Sequence, residues 1–194
     1  MTLKATSITE CIEAIQNGKI ILSIDDTDDK NPSPHIIAAG HFANQQLLKD
    51  IKQISQSETL ISISTQVSKS LGLDRDFNHK PIHSSYLELN SSAKTSIETF
   101  AKDIHRLNNL KHPKKLIKLV EARHMGVLKR AGHAEASIDC SRLAGFQEIA
   151  IISACQTKDG KDLTPIDIES LVDVHNLPVL SIKELIQYRN LSEH

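Results

Sequence analysis

The chain has 194 residues, 39% of them hydrophobic and 24% charged, with a formal net charge of −1. That length suits one domain, residues 1–194, with a sizeable core, and the composition excludes a disordered chain. A near-neutral balance excludes general attraction to nucleic acid or to an anionic membrane, and no run is long enough to cross a bilayer.

Only 3% of residues are aromatic and Trp is absent, so the core is expected to be aliphatic and platforms for base stacking are scarce. Cys11, Cys140 and Cys155 are widely spaced and form no CxxC pair. They read as reduced, buried thiols of a cytoplasmic protein, in keeping with the lack of an apolar signal core after the first residues.

In chain order, Ser7 followed by Glu10 is the signature of a helix start, and Ile8, Cys11, Ile12 and Ile15 form one apolar face before Gly18. A strand is expected over Ile20–Ile24, and a helix over 35–51. Leu60–Ile63 and Tyr86–Leu89 read as strands, followed by a helix over 93–107. Residues 134–144 read as a helix and Ile149–Ile152 as a strand. Thr164 with Asp167, and Pro165 between them, open another helix. Val179–Leu180 is a short strand, and Ser181 with Glu184 opens the last helix. Strands interleaved with helices, but not in strict alternation, predict a mixed α/β (α+β) fold with a mixed sheet under helical layers.

Three segments could carry chemistry. Asp25-Asp26-Thr27-Asp28-Asp29-Lys30-Asn31-Pro32-Ser33-Pro34 follows the first strand, and its carboxylates suit a hard cation such as magnesium. Read alone, it is also a solvated turn, since Asp, Asn, Ser and Pro all favour turns. Arg130-Ala131-Gly132-His133-Ala134-Glu135 joins a glycine turn to a helix start. There, free N–H groups, the helix dipole and a guanidinium would cradle a phosphate, with His133 placed to ligate metal or move a proton. The plainer alternative is a Gly turn with a surface Arg. The basic run Lys111–Lys118 has no aromatic residue and reads as a solvated loop; His79 and His83 lack metal-ligand spacing.

Together these segments resemble the 3,4-dihydroxy-2-butanone 4-phosphate (DHBP) synthase family over nearly the whole chain. Ser7–Leu22 is similar to the family's opening helix and strand. Asp25-Asp26-Thr27-Asp28 falls where the family has an Asp-Asp-Glu-Asp run. Arg130–Asp139, continuing to Phe146, resembles its Arg-x-Gly-His-Thr-Glu-Ala helix, and Leu180–Arg189 its tail. The resemblance implies a three-layer fold and a homodimer with sites near the subunit interface. It also implies a metal-assisted conversion of ribulose 5-phosphate to the butanone phosphate and formate.

The same resemblance exposes departures. Lys30 stands where a metal-binding Glu is expected, Pro34 where a substrate-binding Asp is expected, and Ala154 where a Glu follows the later strand. The family's catalytic His falls near Leu116, and the Thr after the metal-binding His is Ala134. The expected substrate-binding set is therefore Arg130, Ala131, Gly132, His133 and Ala134, with Asp29. Lys30 and His133 are the catalytic candidates; His133 and Asp28 are the metal candidates. A small phosphorylated metabolite is the expected partner, either for a binding or regulatory paralogue or for an enzyme of altered chemistry. No cofactor is expected, magnesium or manganese entering only if the synthase reaction survives on relocated ligands.

Overall fold

A computed structural model describes residues 3–27, 33–70, 86–89 and 117–192. Its first helix, α1 (Ile8–Gln16), begins at the Ser7–Glu10 capping box, in which each residue satisfies the other's orphan backbone donor. Gly18, at φ +72°, supplies the left-handed turn that releases the chain into β1 (Ile21–Ile24). There follow β2 (His35–Ala39), a 3₁₀ turn (Gly40–Phe42), α2 (Gln45–Ser55), β3 (Thr59–Ser64) and the short α3 (Thr65–Ser70). Beyond β4 (Tyr86–Leu89) and β5 (Ile117–Ala122), a 3₁₀ turn at Gly126–Leu128 leads into α4 (His133–Leu143) and β6 (Ile149–Ala154). The remaining elements are α5 (Pro165–His175), β7 (Val179–Ser181) and α6 (Ile182–Ser192).

The strands form one mixed sheet in the order β4-β5-β3-β6-β2-β1-β7. β3 and β5 are parallel, as are β1 and β7; the other neighbours run antiparallel. Alternate residues feed two cores. Ile21, Ile37, Ala39, Ala150 and Ile152 meet α1, α4 and α6 on one face. Leu22, Ile36, Ala38 and Ile151 meet α2 and α5 on the other. The sheet is thus covered on both sides, the three-layer arrangement that the element order and the resemblance imply. Among the described residues no helix is long and apolar enough to cross a membrane.

Two readings of the sequence need correction. The helix expected over 35–51 divides, because Ile36-Ile37-Ala38-Ala39 is a central strand between β1 and β6, buried on both faces. A strand covered on both faces shows no alternation of apolar and polar residues, so periodicity alone does not separate it from a buried helix. In addition, Ile117 and Lys118 at the end of the basic run open β5, a strand paired on both sides. The remainder of that run, His79, His83, Leu116 and the helix expected over 93–107 lie outside the described residues.

Candidate functional site

Three strands and one helix meet at His133. Ser23 of β1 pairs with His35 of β2, and His35 pairs with Ala154 of β6. Register neighbours present their side chains on one face of the sheet, so these three form a row. His133, the first residue of α4, sits on that row. Its Nδ1 lies 2.7 Å from the Ser23 Oγ and its Nε2 lies 3.3 Å from the Ser33 Oγ. The ring stacks on His35 with centroids 3.8 Å apart and planes 18° from parallel. The Nδ1 of His35 is 3.2 Å from the Ser33 carbonyl.

Burial, reinforced by the neighbouring His35 ring, holds His133 well below the usual histidine value, against a smaller upward push from Ser33. Burial lowers His35 as well. Both rings are therefore neutral at pH 7. They can exchange hydrogen bonds with a ligand but offer it no positive charge, and a base held this low accepts protons weakly.

Arg130 lies on the turn before α4. Its Nη2 makes a 2.9 Å ion pair with Oε1 of Glu135, which is fully buried, while 40% of the Arg130 side chain stays exposed. Gly132 is the helix N-cap and, having no side chain, cannot cap the first turn of α4. Ala131, Gly132 and His133 are half-buried, and Ala134 is buried with its carbonyl accepting from Ser62 and Ser137. The expected phosphate-binding residues are thus brought together, but the guanidinium already has a partner on its inner side.

The acidic run is divided. Asp25 accepts from the backbone and hydroxyl of Thr27. Asp26 accepts from the Ser181 hydroxyl at 2.6 Å and the Lys183 N–H at 3.0 Å, so it helps to cap α6. Asp28, Asp29 and Lys30 lie outside the described residues. Pro34 is buried, and its carbonyl accepts the Cys155 N–H at 2.8 Å. Cys155 is no substitute acid or nucleophile, because burial pushes its thiol up to about 12.

A magnesium site needs several oxygen ligands, carboxylates foremost. Among the described residues no three His, Cys, Asp or Glu side chains converge, and both nitrogens of His133 face serine hydroxyls. The described residues do not fit such an ion. Sequence reasoning missed Ser23, Ser33 and His35 as partners of His133. The available signal was Ser23 itself, a hydroxyl inside an otherwise apolar, fully buried strand.

A mixed sheet between two helical layers, with an uncapped helix start aimed at a row of strand-end side chains, defines a three-layer α/β protein with a polar site at the sheet's rim. The chain belongs to the 3,4-dihydroxy-2-butanone 4-phosphate synthase family, whose model matches residues 9–188. It is 31% identical to a 3,4-dihydroxy-2-butanone 4-phosphate synthase of Helicobacter hepaticus, over 94% of this chain and 55% of that protein. Against the synthase of Vibrio parahaemolyticus it is 25% identical, over 95% of this chain and 90% of that protein. The chain thus spans little more than half of the Helicobacter relative but most of the Vibrio one. A crystal structure of 3,4-dihydroxy-2-butanone 4-phosphate synthase in complex with two magnesium ions has the same fold. Its TM-score is 0.77 at 21% identity, over 98% of this chain and 99% of that one.

Proposed function

We propose that this chain binds a small phosphorylated metabolite of the sugar-phosphate class at the Arg130–Ala134 turn. We propose equally that it does not carry out the standard conversion of ribulose 5-phosphate to the butanone phosphate and formate. The observation that carries the reading is the setting of His133, held between two serine hydroxyls and a neutral His35, in a row that ends at Ala154. The family's reaction needs a divalent metal to hold enediolate charge and acids or bases to move protons at successive carbons. Ala154 and Pro34 supply neither. What remains suits an anion: an uncapped helix start and the Arg130 guanidinium, with Lys30 the one cation in the sequence from Asp25 to Pro34. The relatives' names support the substrate class. The same resemblance underlies a cytoplasmic homodimer, which sedimentation at micromolar concentration would check.

The decisive experiment pairs calorimetric titration with ribulose 5-phosphate against formate release in excess magnesium or manganese. Binding that Arg130→Ala weakens, with no formate released, is the expected result. Robust formate release that depends on His133 would replace this reading with an active synthase whose metal ligands have moved, Asp28 being the first to test.

A further inference from the structure

Two buried carboxylates one helical turn apart on α4 tie down the segment that ends at Arg130. Oε1 of Glu135 accepts the Arg123 N–H at 2.8 Å and pairs with Nη2 of Arg130 at 2.9 Å, so it holds both ends of the segment. Oδ2 of Asp139 takes the Val127 N–H at 2.9 Å and holds the middle. Glu135 is wholly buried, and its Oε2 has no hydrogen-bond partner among the described residues; nor has the buried Nε of Arg130. A Cβ on Gly132 would stand 2.6 Å from that Oε2. The carboxylate therefore fills the space that any side chain at position 132 would need.

A buried negative charge directly behind an anion-binding turn is unfavourable unless it has work to do there. Here it grips the guanidinium at Nη2, while 40% of the Arg130 side chain stays exposed to meet a ligand. Holding that flexible side chain in advance lowers the ordering cost that a ligand would otherwise meet. We infer that Glu135 is a positioning residue that fixes Arg130 for the phosphorylated ligand, and that Gly132 is glycine to make room for it. The inference rests on the reading of the turn as an anion site.

A double-mutant cycle separates the two ideas. Inorganic phosphate and ribulose 5-phosphate are titrated into the full chain, Arg130→Ala, Glu135→Gln and the double variant, with thermal melting as the control for folding. Glu135→Gln keeps the shape and an acceptor for the Arg123 N–H. Each single variant should weaken binding about tenfold, the scale of one charge-assisted contact, and the double should be no weaker than Arg130→Ala alone. Absent phosphate binding, or binding that Arg130→Ala leaves untouched, overturns the anion site itself. If Arg130→Ala weakens binding while Glu135→Gln does not, the site stands and the positioning role falls. The positioning role falls too if Glu135→Gln weakens binding equally when Arg130 is already Ala. Should Glu135→Gln fail to fold, Gly132→Ala serves instead. It keeps every charge, suits a backbone already extended at φ −143°, and presses a methyl on Oε2. Phosphate affinity in Gly132→Ala equal to that of the parent chain would then sink the inference.

Discussion

Asp139→Ala should be among the most damaging single changes to the stability of this protein. Its carboxylate accepts from Arg189 Nη1 at 2.6 Å, Arg142 Nη2 at 2.8 Å and Val127 N at 2.9 Å. The Asp139 and Arg189 side chains are 1% and 2% exposed. Removing the acid takes the counter-charge from a buried guanidinium, which keeps its bond to the Met125 carbonyl, and the acceptor from a buried backbone donor, and breaking a pair of this kind costs about 3–5 kcal/mol. Against a total stability on the order of 5–15 kcal/mol, that is a large fraction. For a chain of this length it corresponds to a fall in Tm of about 6–20 °C. Urea unfolding followed by circular dichroism would measure it, with the slope against urea unchanged if only the native state is affected. The pair is not itself a strong source of stability. Burial raises the Asp139 pKa in spite of the hydrogen bonds from Val127 and Arg189 and the charges of the Arg189 and Arg142 guanidiniums, which lower it. Exchanging both partners, Asp139→Leu with Arg189→Met, should therefore cost less than Asp139→Ala alone. A loss below about 1 kcal/mol for Asp139→Ala, the range of ordinary surface changes, would refute the reasoning.

Acid should destabilise the fold through His35 and His133. Their folded pKa values lie below the unfolded value of 6.5, so the unfolded chain takes up protons first. Their contribution is complete above pH 6.5 and is lost as pH falls below it, by up to about 1.4 kcal/mol per pH unit for each ring. Urea midpoints measured from pH 7 to pH 5 should fall, and fall less in His133→Gln. Gly126→Ala should cost roughly 2 kcal/mol or more in the same assay, since φ is +61° and the added methyl would run into the Asp139 carboxylate. The thiols of Cys11 and Cys155, pushed up to about 12 by burial, should react with iodoacetamide at neutral pH only when the chain unfolds.

Local signals in the sequence carried furthest where they are also local in space. The boxes Ser7–Glu10 and Thr164–Asp167 both form as written, because their partners lie three residues apart. Ser181–Glu184 is only half of the story. Ser181 caps the Glu184 N–H, but the carboxylate that completes the helix start is Asp26, 157 residues from Lys183. Nothing in the acidic run marks one of its members for that task. The setting of His133 escaped for the same reason, as Ser23, Ser33 and His35 reach it only once β1, β2 and α4 have packed together. The Arg130–Ala136 motif, by contrast, was recognisable as an order of residues. What it did not disclose is that Arg130 turns inward to Glu135.

The pairing of β1 with β7 bears on how the chain is made. β1 sits beside a strand that leaves the ribosome more than 150 residues later, since Leu22 pairs with Val179, 157 residues further along the chain. At a synthesis rate of roughly 5–20 residues per second, β1 waits on the order of ten seconds for its outer neighbour. For that time the apolar Ile-Leu-Ser-Ile strand has one edge without its final partner, the situation most open to pairing with another nascent chain. Parallel closure over such a distance is also slow, so β7 and α6 should dock late in folding. Chaperone demand and inclusion-body formation during overexpression should accordingly respond more to changes in β7 and the Asp26–Ser181 contact than to changes in the His133 site.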